Sequence, residues 1–327
     1  MSRSRGRQRY KLKKEVIVLI ILLMIGAVLY FVVSAATTPT GEYNQTRSGT
    51  ATNVDFLQIE SNHHTRTYTI TNNSIAFGFN DFNFVDEGEF VYLVEYHPRD
   101  GRIVLHTTYP AVIEASLNPS TNNIDIYIIN PREVYNNILI IDPGHGGGDV
   151  GAPVPHLQGV YESHIVMAIS NYLYQLFEAS DVDIKVFMTR HGDYSLGMRN
   201  RTNLGNTVGD MLLSIHTNTF VYDTAVSGTE VLFNPTRPVY LSRLNITNSR
   251  LAQTFQDQLV ASLNTRDRGI VDRRDLYLLN TSSIPTAFVE IDFKTNPEAL
   301  QNLQSSVYQQ RVAQALYEAI IAAFGLD

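Results

Sequence analysis

The chain has 327 residues with no cysteine and no tryptophan, 44% of them hydrophobic and 17% charged. This excludes a disulfide-stapled mini-protein, a thiolate metal site and a cysteine nucleophile, and it is too apolar for a disordered chain. The formal charge of -7 hides an asymmetry: residues 1–14 carry seven Lys or Arg and no acid, while beyond position 36 only 18 basic residues face 31 acidic ones, a balance of -13. A body this negative repels polyphosphate, so nucleic acid is not an expected partner.

In chain order, residues 1–15 read as a basic cytoplasmic tail. Val16 to Ala36 follows without a charge for 21 residues, and a helix needs about 20 apolar residues to cross a bilayer. With Lys and Arg held on the cytoplasmic side, the segment is expected to anchor the chain in a lipid bilayer with the body outside the cytoplasm. A cleaved signal peptide, with Val33-Ser34-Ala35 as its small-residue site, is the alternative, and it would make the protein secreted. Residues 37–55, opening on a Thr-, Pro- and Gly-rich run, read as a linker.

Residues 56–136 read as a small β-rich domain, a β-sandwich by its pattern. The runs at Thr67–Ile70, Phe90–Tyr96, Arg102–His106 and Ile124–Ile129 are β-branched or aromatic. Arg99-Asp-Gly-Arg is a plausible turn between two of them. His63, His64, His97 and His106 fall here without a repeated metal-ligand spacing.

From residue 137 to 327 strands and helices alternate. Asn137–Ile141, Asp183–Thr189, Met211–His216, Gly228–Phe233 and Ala287–Ile291 are predicted strands. Glu162–Ala179, Leu251–Leu263 and Val307–Phe324 carry helical periodicity. The fold class is therefore α/β, a mixed sheet with helices on both faces. It is preceded by the small mostly-β domain and an N-terminal transmembrane helix.

Three potential ligands sit at element ends. His145 follows the first of these strands in Asp142-Pro-Gly-His-Gly-Gly-Gly, Glu162 opens the first helix, and His216 closes the strand Met211-Leu-Leu-Ser-Ile-His. Strand carboxyl ends form the ligand crevice of an α/β sheet, so the three can converge although 17 and 54 positions separate them. Two imidazoles and a carboxylate suit Zn2+ and leave a fourth position for water. Glu290, closing Pro285-Thr-Ala-Phe-Val-Glu, is expected to point into the same crevice as general acid and base. Asp292, two residues on, is its nearest competitor and is expected on the same side.

These segments resemble, in order, the zinc-dependent N-acetylmuramoyl-L-alanine amidases of the DPGHGG type. The matching runs are Ile141-Asp-Pro-Gly-His-Gly-Gly-Gly-Asp-Val-Gly-Ala, Gly159-Val-Tyr-Glu, Met188-Thr-Arg-His-Gly-Asp with Arg199 or Arg201 further on, Ser214-Ile-His-Thr-Asn with Gly228-Thr-Glu, and Tyr277-Leu-Leu through Val289-Glu-Ile-Asp-Phe-Lys-Thr-Asn. The resemblance covers roughly 137–326. It implies a peptidoglycan hydrolase that cuts the amide between N-acetylmuramic acid and L-alanine, with His145, Glu162 and His216 on zinc and Glu290 catalytic. By position, Asn218 and Arg201 are its substrate contacts. Asp292 stands where the family usually has Gly, and a second carboxylate there is expected to raise the pKa of Glu290. Ser163 stands where Lys is common. The alternatives are a non-catalytic wall-binding protein and a zinc peptidase acting on stem peptides.

Overall fold

A computed structural model of the chain describes residues 57–62, 66–72, 82–84, 91–97, 101–118, 120–121, 123–153 and 159–326. The expected bilayer segment 16–36, the linker, His63 and His64 lie outside the described residues. Among the described residues no helix is long and apolar enough to cross a membrane.

The amino-terminal described part is all β. β1 (Leu57–Asn62), β2 (Thr67–Asn72), β4 (Val91–His97) and β5 (Arg102–Thr107) form an antiparallel sheet in the order β1-β2-β5-β4. β3 (Phe82–Phe84), β6 (Val112–Asn118) and β7 (Asn123–Ile129) form a second, ordered β3-β7-β6. Alternate residues of both sheets, Tyr68, Ile70, Ile103 and Leu105 from one and Ile113, Ile124, Ile126 and Ile128 from the other, meet in one buried cluster. Period-2 alternation puts them all inward, which is the sandwich pattern expected. Tyr68 is fully buried, and its hydroxyl accepts the Ala111 amide at 2.7 Å. The sequence missed β1, β3 and β6, because short or polar-rich strands carry little periodicity.

A short helix, α1 (Pro131–Val134), capped by the Asn130 side chain, leads into the α/β part. Arg132 on it donates to the carbonyls of Gly209 and Leu241 and so ties the connection to the sheet beyond. That sheet has six strands: β8 (Ile138–Pro143), β9 (Lys185–Met188), β10 (Met211–Asn218), β11 (Thr229–Phe233), β12 (Asp267–Asp272) and β13 (Thr286–Phe293). Their order is β12-β11-β13-β10-β8-β9. β8, β9, β10 and β13 are mutually parallel, and β11 meets β13 antiparallel, so the sheet is mixed.

Central strands covered on both faces read as near-continuous apolar runs, and all six residues of β8 are buried, Asp142 among them. One face, through Leu139, Ile141, Leu213, Ile215 and Val289, packs on α2 (Glu162–Glu178), α4 (Asn248–Leu263) and α7 (Ser306–Phe324). The other, through Ile138, Ile140, Leu212 and Leu232, packs on α3 (Met198–Val208) and α5 (Tyr277–Thr281). A further helix, α6 (Pro297–Gln304), follows β13 with Asn296 accepting two of its first amides. Each fully buried Leu or Ile contributes roughly 1.5–3 kcal/mol.

Candidate active site

β8, β10 and β13 run parallel and end side by side, which gathers their carboxyl ends in one crevice. In the pairing register His216 lies beside Glu290, and Glu230 of β11 lies on the other side of Glu290. The expected strand ends shift slightly: β10 runs on to Asn218 and β13 to Phe293. His145 sits in the turn just after β8, with the left-handed φ of 60°. Glu162 is the first residue of α2.

The structure brings the three predicted ligands together. One Glu162 oxygen, Oε1, lies 3.1 Å from His145 Nε2 and 3.0 Å from His216 Nδ1. A donor atom from each of the three lies within 4.8 Å of the others, the spacing at which one ion can be shared. The Thr217 amide also donates to Oε1, at 3.1 Å. His145 Nδ1 faces both oxygens of Asp149 at 2.9 Å, which holds its proton there and frees Nε2. His216 stacks on Phe288, ring centroids 4.0 Å apart.

The turn is built for close approach. A Cβ on Gly144 would stand 2.2 Å from His216 Cε1, so only glycine lets the ring in. Gly151, at φ 84°, leaves room in the same way for the Glu162 side chain, which a Cβ would meet at 2.6 Å.

Burial and neighbours set the protonation states. Burial pushes His216 down, toward the neutral form a ligand needs. Burial also opposes charge on His145, but Glu162 and Asp149 outweigh it and raise that residue. Glu162 is buried too, yet the two histidines and the nearby Lys294 hold its carboxyl far below the usual range. Glu290 is pushed well above its ordinary value, first by burial and then by the Glu162 charge. Its Oε2 is buried without a hydrogen-bond partner. A raised carboxyl with one free oxygen beside a ligand cluster is a poised proton carrier.

Arg201, expected at the substrate, has a side chain only 3% exposed whose donors are taken up by the protein. It donates to Asp142 Oδ1 at 2.8 Å and to the carbonyls of Pro143, His145 and Leu196 at 2.7, 2.6 and 3.0 Å. One expectation needs correction: the Glu290 shift comes from burial and the Glu162 charge, not from Asp292. The Asp292 carboxylate accepts the amides of Gly228, just ahead of β11, and of Phe293, its neighbour in β13, both at 2.7 Å. Asn218 is half-buried at the end of β10 and donates to Glu230 at 2.7 Å.

Sequence reasoning missed the supporting residues. Asp142, 1% exposed, accepts the hydroxyls of Thr189 and Ser214 as well as Arg201. Fully buried Arg190 donates to the carbonyls of Pro143, Gly144, Ser163 and Gly192. Lys294, also fully buried, reaches Glu162. A charge inside an apolar strand was the available signal for Asp142, and a basic residue just after one for Arg190 and Lys294.

The profile of the N-acetylmuramoyl-L-alanine amidase family matches residues 139–322, and the chain belongs to that family. It is 34% identical over 183 residues to the uncharacterized protein YqiI of Bacillus subtilis, covering 56% of this chain and 82% of that one. It is 29% identical over 192 residues to the N-acetylmuramoyl-L-alanine amidase LytC of the same organism, covering 58% of this chain but only 36% of LytC. The crystal structure of an N-acetylmuramoyl-L-alanine amidase from Clostridium difficile superposes on 57% of this chain and 95% of its own, with 28% identity and a TM-score of 0.51. As a family member the chain is a peptidoglycan hydrolase, acting on the amide between N-acetylmuramic acid and L-alanine.

Proposed function

We propose that the hydrolysis is zinc-dependent, with His145 Nε2, Glu162 Oε1 and His216 Nδ1 as the protein ligands and Glu290 as the catalytic acid and base. The observation that carries this is the meeting of three donor atoms within 4.8 Å of one another, next to a raised carboxyl with an unpartnered oxygen. The donor set fits the ion: two nitrogens and one carboxylate oxygen are the catalytic zinc chemistry that keeps a position open. A zinc ion held there supplies Lewis-acid activation of water and of the scissile carbonyl.

The chain's own residues do the rest. Asp149 keeps the His145 tautomer, and Phe288 and Gly144 fix the His216 ring. Glu290 takes the proton of the attacking water at Oε2, then delivers it to the departing alanine nitrogen as the amide carbon–nitrogen bond breaks. Its pKa, raised by burial and by the Glu162 charge, suits it to return the proton it has taken. No acyl-enzyme is required. Asn218, two residues beyond His216, is the remaining candidate to touch the substrate.

The arrangement of the whole chain is part of the same reading. Residues 1–15 form a cytoplasmic tail, 16–36 a bilayer anchor, 37–55 a linker, 56–136 a β-rich domain and 137–327 the catalytic domain, which is thereby held outside the cytoplasm against its wall substrate.

Purified peptidoglycan incubated with the enzyme is expected to release stem peptides with free L-alanine amino groups, identified by mass spectrometry. Chelation stops the release and zinc restores it. Undiminished activity after complete metal removal contradicts the reading.

A further inference from the structure

Lys294 is a fully buried ammonium that the reaction above does not use. Its backbone is pinned at the end of the sheet, the amide donating to the Asn218 carbonyl at 2.9 Å. From there its Nζ reaches Glu162 Oε2 at 2.5 Å and the Thr217 carbonyl at 3.3 Å. The two oxygens of Glu162 are therefore divided. Oε1 faces both histidines and the Thr217 amide, and Oε2 faces lysine.

That division has a chemical consequence. A carboxylate can meet a metal through one oxygen or through both. A second oxygen on the ion takes up a position that a catalytic site must keep for water and substrate. Burying a lysine is expensive, and an apolar side chain would fill the same space at less cost. We propose that Lys294 is a positioning residue that occupies Glu162 Oε2 and so restricts Glu162 to a single-oxygen contact with the metal. The inference rests on the zinc reading of this site but asks a separate question of it. Lys294 touches no reacting atom; it acts through Glu162.

The test reads the coordination number instead of turnover. The full chain and its Lys294→Met variant are loaded with Co2+, whose visible absorption is several-fold stronger in a four-coordinate than in a five-coordinate site. The unmutated chain is expected to give the strong four-coordinate spectrum. Lys294→Met, close in length but without charge or donor, is expected to lose several-fold in absorption as Glu162 closes on the ion with both oxygens. Equal spectra overturn the role of Lys294 while leaving the metal centre standing. Failure of the unmutated chain to take up any Co2+ overturns the metal reading and this inference together. A crystal structure of the zinc-loaded unmutated chain decides the matter without a variant. One Glu162 oxygen on zinc with the other on Lys294 supports the assignment, and both oxygens on zinc refute it.

Discussion

Arg201→Met discriminates between an arginine that reads substrate and one that holds the site together. The arginine and Asp142 form a buried pair at 2.8 Å, their side chains 3% and 1% exposed. Removing the cation leaves the Asp142 carboxylate buried with only the Thr189 and Ser214 hydroxyls, at 2.6 and 2.8 Å. Breaking a buried pair from one side costs about 3–5 kcal/mol, because the remaining charge is uncompensated. The two hydroxyls pull the figure toward the lower end, and the carbonyls of Pro143, His145 and Leu196, stripped of their donor, push it back up. At ~2–4 °C per kcal/mol for a domain of this size, Tm is expected to fall by roughly 6–20 °C. Asp142→Asn added to the variant removes the stranded charge and is expected to recover part of the loss, a non-additivity that a double-mutant cycle measures. Thermal unfolding of the three proteins, followed by circular dichroism, is the assay. A Tm within about 2 °C of the parent, with a raised KM as the only defect, would return Arg201 to the substrate and refute the packing argument.

Three further outcomes follow from the geometry. Glu290→Gln is expected to keep metal content and Tm while losing about 10²–10⁴-fold in amidase turnover. Burial and the Glu162 charge raise the Glu290 carboxyl. A base must be ionised, so the acid limb of kcat/KM in the parent should lie above the ordinary carboxylate value of about 4.3; a limb at that value contradicts the assignment. Gly144→Ala puts a Cβ 2.2 Å from His216 Cε1; metal analysis after dialysis should show lost zinc, and full stoichiometry would mean that the turn yields. Burial pushes Tyr68 up to about 12, against 10.0 for an unfolded tyrosine. The folded state holds that proton more tightly, so its contribution is complete below pH 10 and fades as pH rises toward 12. The amount is on the order of 3 kcal/mol at 1.36 kcal/mol per pKa unit. Denaturant melts should show the parent losing stability relative to Tyr68→Phe across that window, and parallel curves would count against it.

What could be read from the sequence divides along the line between local pattern and tertiary burial. β8, β10 and β13 are built on apolar runs broken toward their carboxyl ends, and α2, α4 and α7 show helical stripes, so the strands and helices that carry the site stand out by residue pattern alone. α3 did not, because Met-Arg-Asn-Arg-Thr-Asn-Leu-Gly-Asn-Thr-Val is mostly polar with a glycine inside; only Leu204, Val208 and small or polar neighbours face the sheet. β12, Asp-Arg-Gly-Ile-Val-Asp, is an edge strand whose charges mask it. His145, Glu162 and His216 were legible because strand and helix ends announce where a crevice forms. The direction in which Arg201, Lys294 or Asp292 points was not, since each is decided by partners distant in the chain.

The same residues explain why the turn after β8 is so heavily supplied with cations. Past Pro143 the backbone leaves the sheet, and the carbonyls of residues 143 to 145 lose their strand partners while remaining inside the protein. Buried carbonyls need donors, and Arg190 and Arg201 supply them from two different segments. His145 also carries a left-handed φ, a conformation that costs a non-glycine residue about 1–2 kcal/mol. The charge-assisted bond from Arg201 to its carbonyl offsets a cost of that size. The imidazole is therefore aimed by a backbone held in an unfavourable shape, and that shape persists because Asp142 balances Arg201 beneath it. An unpaired guanidinium at that depth would be more expensive than the strain it relieves, so the acid of the Asp-Pro-Gly-His run belongs to the architecture of the site although it touches none of the ligand atoms.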